Sequence, residues 1–438
     1  MTGTQEPGSV STQSWRIAGL ARAHPERSFV SLAHMMDQGW LREAYRRTRK
    51  DGAAGIDGQT AAAYEADLEA NLADLLERLK SGRYQAPPVR RVQIPKGDGR
   101  SRGIGIPTLE DKVAQRAVAM VLEPLYEQDF RACSHGFRPG RNPHQALDSM
   151  RGDLMTMNGG WVVEIDIRAF FDEMDRDVLR EVLDERVRDG VIRRLIDKWL
   201  KAGMVEDGQL SRPTRGTPQG GVISPLLANI YLDAALDRWF EDQVRPCLHG
   251  RGELTRFADD AVMVFATERD ARRVMEALPK RMARFGLRLH PEKTRLLPFH
   301  PPGRGKGPQR GSRSFDFLGF THFWARSRRG RWVVKQKTAS DRLQRSLDAI
   351  QAYCRANRHR PLAEQHRALS RMLEGHYAYF GRAGNHDALN RLRTYARRTW
   401  VKWLDRRSQR GKMTWKKAEL ILACLPLPRA RTAWSTTT

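Results

Sequence analysis

Two adjacent acids, Asp259 and Asp260, lie between two apolar segments, and this arrangement constrains the fold more than any other feature of the sequence. Residues 254–266 run LTRF, then ADD, then AVMVFA, which is typical of a β-hairpin with a tight turn. Neighbouring residues on a strand point to opposite faces, so only one of the two acids can face a given ligand unless the turn re-aims the other. The sequence therefore predicts an acidic turn between two apolar strands.

A second acid closes the strand WVVEIDI at residues 161–167. The alternation predicts one face of Val163, Ile165 and Ile167 and an opposite face of Glu164 and Asp166. If this strand lies beside the hairpin, Asp166 and Asp259 converge. Two close carboxylates repel each other, and a divalent cation relieves that repulsion. Oxygen ligands favour Mg²⁺ or Mn²⁺.

Such a site suits phosphoryl transfer, in which two cations about 3.5–4 Å apart can stabilise the attacking and leaving oxygens. The alternative for an isolated Asp-Asp pair is a polar turn without function. The apolar hairpin around the pair and the separate strand-borne acid favour the metal site.

Positive charge is concentrated in the last third of the chain. Residues 301–438 contain 31 Lys and Arg but 8 Asp and Glu, whereas residues 1–300 contain 46 and 43. This asymmetry predicts a polyanionic partner, most simply a nucleic acid. An acidic membrane surface is the alternative, but no amphipathic anchor stands out.

Other bulk features exclude several classes of protein. The four cysteines, Cys133, Cys247, Cys354 and Cys424, form no C-x-x-C pair, so neither a zinc knuckle nor a disulfide framework is indicated. The sequence has no run of eighteen apolar residues and no apolar core near its start, which predicts neither a membrane span nor a secretory signal. We expect a reducing, intracellular setting.

The remaining pattern predicts an α+β fold. Leucines at helical spacing predict a helix at 60–80, a second helix at 109–127 is expected to break near Pro124, and 286–290 reads as a strand. Residues 1–33 read as a flexible leader, and the basic Gly/Pro-rich segment 300–314 as a boundary.

Seven segments, including those that carry the acids, occur in a characteristic order. They are IPKGDGRSRGIGIPTLEDKVAQRAV (94–118), SHGFRPGRNPHQAL (134–147), EIDIRAFFDEMD (164–175), GTPQGGVISPLLANIYLD (216–233), RFADDAVMVF (256–265), PEKTRLL (291–297) and FDFLGF (315–320). The set resembles the blocks of bacterial group II intron-encoded reverse transcriptases. GAAGIDG (52–58) resembles their N-terminal block, and 373–415 their thumb and maturase region.

The resemblance covers residues 35–430 and implies a right-hand polymerase. Fingers with the N-terminal block are expected at 34–155, a palm at 156–325, and a basic helical thumb or maturase domain at 326–438. It implies a bacterial protein of the cytoplasm, with nucleoid association as a further option.

By motif, the resemblance implies that Asp166 and Asp259 are metal ligands and that Asp260 supports or shares this role. The backbone carbonyl of Ile167 would complete a metal shell. Asp172 is interpreted as a helix cap rather than a ligand.

The incoming nucleotide would meet Lys96, Arg102, Phe171, Gln219 and Lys293. Lys96 and Arg102 match positions that hold the triphosphate, and Gln219 matches a position against the nucleotide. Phe171 matches the ring beneath the sugar that disfavours a 2′-OH, although core packing is the alternative for Phe170 and Phe171. Lys293 could protonate pyrophosphate, or be merely solvated or bound to backbone.

The chain departs from the family pattern in two ways. Phe257 replaces the usual tyrosine before Ala-Asp-Asp, which removes a hydroxyl but no metal ligand. No paired cysteines or clustered histidines follow the thumb, so we expect no DNA-cleaving activity.

In 389–407 apolar residues recur at helical spacing, which predicts a core-facing stripe. Basic side chains occupy the other faces, and we expect them to grip the template–primer duplex and structured RNA. These are Arg391, Arg393, Arg397, Arg398, Lys402, Arg406 and Arg407.

The leading hypothesis is an RNA-directed DNA polymerase that uses an RNA template, a DNA primer and dNTPs, and that binds intron RNA and target DNA in splicing and mobility. One alternative is a non-catalytic RNA-binding splicing factor. Another is a related reverse transcriptase recruited to defence or repair.

Overall fold

The computed structural model describes residues 10–95, 101–303, 314–408 and 413–432. The chain divides into two compact units, one of Met1–Ala146 with Val163–Leu296 and the other of Leu147–Val162 with Leu297–Thr438. Residues 34–146 of the expected fingers and 163–296 of the expected palm fall in the first unit. Residues 147–162 and residues 297–325 of the expected palm fall in the second unit, with the C-terminal helices.

Helices make up most of both units. In chain order they are α1 (Val10–Ala23), α2 (Gln38–Arg47), α3 (Ala61–Glu65), α4 (Leu68–Ser81), α5 (Leu109–Tyr126), α6 (Pro143–Thr156), α7 (Phe170–Glu173), α8 (Arg176–Arg186), α9 (Gly190–Lys201), α10 (Ser224–Leu232), α11 (Glu268–Arg284), α12 (Ser340–Ala356), α13 (Leu362–Phe380), α14 (His386–Asp405) and α15 (Trp415–Cys424). After α10 the chain continues through π-helical turns at Asp233–Asp237 and Phe240–Val244.

The strands form small sheets. They are β1 (Val89–Pro95), β2 (Ser101–Ile106), β3 (Gly160–Asp166), β4 (Met204–Glu206), β5 (Gln209–Ser211), β6 (Gly252–Phe257), β7 (Asp260–Phe265), β8 (Arg295–Phe299), β9 (Phe315–Phe317), β10 (Phe320–Arg326) and β11 (Trp332–Thr338). The sheet orders are β2-β1-β4-β5, β6-β7-β3-β8 and β11-β10-β9. Mixed helices and sheets confirm the α+β prediction.

Three local predictions are wrong. Residues 10–23 of the expected leader form helix α1, which buries Ile17 and Ala21. Helix α5 continues through Pro124, because this proline lies in the last turn and the flanking Leu122 and Leu125 are fully buried. The chain at 286–290 forms one isolated bridge, between Ile167 and Leu289, instead of a strand.

The predicted leucine helix is confirmed with one interruption, since α3 ends before α4 begins. Leu72, Leu75 and Leu79 of α4 are fully buried, one helical turn apart. Burial of such a stripe stabilises a helix that intrinsic propensity alone would not hold.

The C-terminal unit has its own apolar core. The stripe predicted on α14 lies in it, with Leu389, Leu392, Ala396, Trp400 and Leu404 buried. The Trp400 indole donates a hydrogen bond to Gln365 Oε1 at 2.9 Å, which satisfies its polar edge inside the core. No described helix combines the length and apolar character that a bilayer crossing requires.

Candidate active site

The predicted hairpin is formed by β6 and β7, which pair antiparallel from Gly252 with Phe265 to Phe257 with Asp260. Ala258 and Asp259 make the turn, and Ala258 has a φ of 57°, in the left-handed region. Asp260 is therefore the first residue of β7, while Asp259 belongs to the turn. Because Asp259 lies in the turn and Asp260 in a strand, the two side chains need not point to opposite faces, as neighbours within a regular strand would.

Strand β3 lies next to β7 in the same sheet. Its burial alternates as expected, with Val163, Ile165 and Ile167 buried and Glu164 and Asp166 half-buried. The hairpin and the strand that ends in Asp166 are thus neighbours, which was the condition for the acids to converge.

The segment after residue 290 neutralises the acidic face of β3. Lys293 Nζ lies 3.2 Å from Asp166 Oδ2, and Arg295 forms an ion pair with Glu164. The Asp166 carbonyl accepts a hydrogen bond from the His290 amide at 2.8 Å. Lys293 therefore is exposed and also has a carboxylate partner, which the sequence did not predict.

Carboxylate oxygens suit a divalent cation. Asp166 and Asp259 are half-buried, and Asp260 is exposed. Across the described ranges, however, no group of three His, Cys, Asp or Glu side chains is arranged to hold a metal ion.

Two of the predicted nucleotide contacts touch each other. Arg102 Nε donates to Gln219 Oε1 at 2.6 Å, and the Gly105 amide donates to the Gln219 carbonyl at 2.6 Å. Gly220 has a φ of +113°, and a Cβ on it would lie 2.3 Å from the Gly105 carbonyl oxygen, so this close approach requires glycine. Lys96 lies outside the described residues.

Phe171 joins the same loop through its backbone. Its carbonyl accepts a hydrogen bond from the Thr217 amide at 2.8 Å, and its side chain is 8% exposed. Phe170 is more deeply buried and packs edge-on against Tyr231 at 6.1 Å between ring centroids. Both rings are buried, and Phe170 is the deeper of the two.

The expectation that Asp172 caps a helix is wrong. Asp172 lies within the short helix α7, whereas Asp175 caps α8 by accepting from the Asp177 and Val178 amides. Asp175 lies immediately before α8, which is the position that an N-cap residue occupies.

Sequence reasoning missed a buried network that holds the acidic turn. The Arg256 guanidinium is fully buried and donates to Asp237 Oδ1 at 2.7 Å, Asn229 Oδ1 at 3.0 Å, Ser134 Oγ at 2.8 Å and the Ala258 carbonyl at 2.9 Å. The last acceptor belongs to the residue before Asp259. Arg256 therefore positions the turn, and an arginine inside an otherwise apolar hairpin was the available clue.

On α14 the basic residues divide into two groups. Arg391, Arg397, Arg398, Lys402 and Arg406 are exposed. Arg407 donates to the carbonyls of Arg358 and Arg360, and Arg393 donates to the Leu427 carbonyl at 3.4 Å. These two arginines have structural partners within the C-terminal unit.

Comparison with known proteins identifies the family. Residues 94–322 match the family described as "Reverse transcriptase (RNA-dependent DNA polymerase)". Protein YkfC of Escherichia coli (strain K12) is 33% identical over 329 residues, which are 66% of this chain and 84% of that protein.

Two further relatives carry intron-related names. Group II intron-encoded protein LtrA of Lactococcus lactis subsp. cremoris is 43% identical over 167 residues, or 37% of this chain and 27% of that protein. Nuclear intron maturase 1, mitochondrial, of Arabidopsis thaliana is 32% identical over 129 residues, or 28% of this chain and 18% of that protein. The chain belongs to the reverse transcriptase family, as a member of its group II intron reverse transcriptase and maturase type.

Proposed function

We propose that this protein is an active RNA-directed DNA polymerase that extends a DNA primer on an RNA template with dNTPs. The observation that carries the proposal is the adjacency of β3 and β7, which end in Asp166 and begin at Asp260. A splicing scaffold has no need of acids on adjacent strand ends, whereas phosphoryl transfer does.

The chain's own residues account for binding and orientation. Arg102 and Gln219 would take the triphosphate and the nucleotide, and their mutual hydrogen bond orients both before substrate arrives. Phe171, fixed by its carbonyl to the loop at Thr217, would support the sugar and disfavour a 2′-OH. Asp166, Asp259 and Asp260 would hold Mg²⁺, and the chemistry that it would supply is activation of the primer 3′-oxygen and neutralisation of the developing negative charge.

Lys293 would exchange partners during the reaction. Its ammonium lies 3.2 Å from Asp166 Oδ2 in the free protein. Once it no longer pairs with Asp166, the Lys293 ammonium would be able to donate its proton to the leaving pyrophosphate oxygen. The carbonyl of Ile167, the next residue, remains our proposal for a further metal ligand.

We further propose that the protein binds intron RNA and target DNA through exposed basic residues of α14, in support of splicing and mobility. The exposure of five of the seven predicted side chains supports this role. A non-catalytic RNA-binding splicing factor is the second candidate, because the same basic face would serve it.

Primer extension on an RNA template separates the two candidates. Asp259→Asn removes a carboxylate charge from the turn with little change in volume, so we expect almost no cDNA from it and Mg²⁺-dependent cDNA from the wild type. The matched control is Asp207→Asn, which changes an exposed acid at a φ of 49° that asparagine tolerates.

Equal RNA binding by all three proteins would show that Asp259→Asn remains folded. If the wild type binds RNA but makes no cDNA, the polymerase proposal is wrong and the splicing factor is favoured.

A further inference from the structure

Phe137 combines two features that are rarely found together. Its side chain is 60% exposed, and its φ is 54°, in the left-handed region that bulky side chains disfavour. Because the ring is mostly exposed, its burial contributes little stabilisation, and packing does not explain the strained backbone. Strain of this kind persists only where the surroundings enforce it, and it concentrates at functional sites.

The residues before Phe137 are fixed to the acidic turn. The His135 amide donates to the Arg256 carbonyl at 2.8 Å, and Asn229 Nδ2 donates to the Gly136 carbonyl at 2.7 Å. A Cβ on Gly136 would lie 2.3 Å from the Ala258 nitrogen, so only glycine permits this approach of two backbones.

The residue after Phe137 is fixed as well. Arg138 is buried and donates from Nε to Glu127 Oε1 at 3.0 Å and from Nη1 to the Arg131 carbonyl at 2.7 Å. Anchors on both sides leave Phe137 no route to a relaxed backbone, and they hold its ring at the surface.

The ring that Phe137 presents lies beside a second one. The centroids of Phe137 and Phe257 are 6.4 Å apart with the planes inclined at 38°. Phe257 pairs with Asp260 across the hairpin turn. Two aromatic rings from separate parts of the chain therefore border the acidic turn.

Under the proposed function, the group nearest this turn is the primer's terminal nucleotide, because its 3′-oxygen must reach the cations held by the aspartates. Aromatic rings contact nucleotides of any base identity through their π-faces. We propose that Phe137 and Phe257 form an aromatic platform that binds the 3′-terminal nucleotide of the primer. This inference rests on the proposed polymerase function and extends it to a specific primer contact.

The test measures stacking without chemistry. A primer with 2-aminopurine at its 3′ terminus is annealed to an RNA template and bound to the full chain without dNTPs. Phe137→Gly removes the ring and suits the positive φ, so it should fold, and Phe137→Tyr keeps a ring. Leu210→Ala is the control for loss of another exposed apolar side chain, which is 51% exposed.

We expect Phe137→Gly to lose the change in terminal 2-aminopurine fluorescence and to raise KM for the primer about tenfold, with a smaller effect on kcat. Phe137→Tyr and Leu210→Ala should resemble the wild type. Wild-type fluorescence and KM in Phe137→Gly would overturn the platform, as would an effect confined to a probe at the templating base.

The two proposals fail separately. If the wild type makes no cDNA but the terminal probe still depends on Phe137, the platform stands and the polymerase proposal fails. If the wild type extends primers and the probe ignores Phe137, only the platform is wrong.

Discussion

The acidic turn and the basic face of α14 differ in how their positively charged side chains are placed, buried at the turn and exposed on the helix. At the turn, one fully buried guanidinium, that of Arg256, holds several segments together, including the residue before Asp259. On α14 the side chains of Arg391, Arg397, Arg398 and Lys402 are exposed, and at its end the exposed Arg406 guanidinium lies over the Trp403 ring. The difference indicates that the geometry of the turn depends on single residues, whereas RNA binding by the basic face would depend on the sum of many.

Arg256→Met should have the largest effect, because it leaves the buried Asp237 carboxylate without its partner. Breaking such a pair costs about 3–5 kcal/mol. Thermal unfolding measures this cost, and primer extension should fall with it. Arg272→Met is the matched control, since Arg272 forms an exposed ion pair with Glu268 that contributes about 1 kcal/mol or less.

A double variant sharpens this result. Arg256→Met with Asp237→Leu removes both charges and should regain part of the lost stability. It should not regain activity, because the Ala258 carbonyl still lacks its donor. Full activity in either variant would contradict a positioning role for Arg256.

Acid should lower the stability of the folded protein through two buried histidines, His135 near the acidic turn and His376 on α13 of the C-terminal unit. Burial, with nearby arginines, lowers the pKa of His135 to about 4, and burial lowers that of His376 to about 4. Below about pH 6.5 these histidines bind protons in the unfolded chain but remain neutral in the folded protein. The free energy of unfolding therefore falls as the pH drops from about 6.5 to 4.

Unfolding midpoints measured across that window test the two sites separately. His135→Leu and His376→Leu should each make the midpoint less dependent on pH than in the wild type. An unchanged dependence in one variant would show that folding does not lower the pKa of its histidine.

Single substitutions on the basic face should have the smallest effects. Arg397→Gln should reduce the slope of log affinity for RNA against log salt by about 0.7–0.9 if it removes one phosphate contact. Arg391, Arg397 and Arg398 changed together should reduce it about threefold as much. Arg407→Gln is the control, since Arg407 donates to backbone carbonyls and should change stability rather than the slope.

Local sequence patterns predicted the elements that local chemistry determines. The hairpin at 254–265, the alternating faces of β3 and the apolar stripe on α14 follow from periodicity within one segment. The prediction failed where distant packing decided the outcome, as at Pro124 in α5 and at helix α1.

In the candidate site, too, local motifs predicted some residues, whereas contacts between distant segments were not predicted. Asp166, Asp259, Arg102 and Gln219 were predicted because ordered motifs name them. The partners of Arg256 were not, because Ser134, Asn229 and Asp237 come from separate segments that only the folded chain brings together. The ion pair of Lys293 with Asp166 was missed for the same reason.

The central claim is that acids remote in sequence share bound cations. Electron paramagnetic resonance of Mn²⁺, titrated into the full chain, tests it without any requirement for activity. We predict that Asp166→Asn and Asp259→Asn each lose the tightest Mn²⁺ site of the wild type, while Asp207→Asn keeps it. Wild-type Mn²⁺ binding in both Asp166→Asn and Asp259→Asn would contradict a shared metal site.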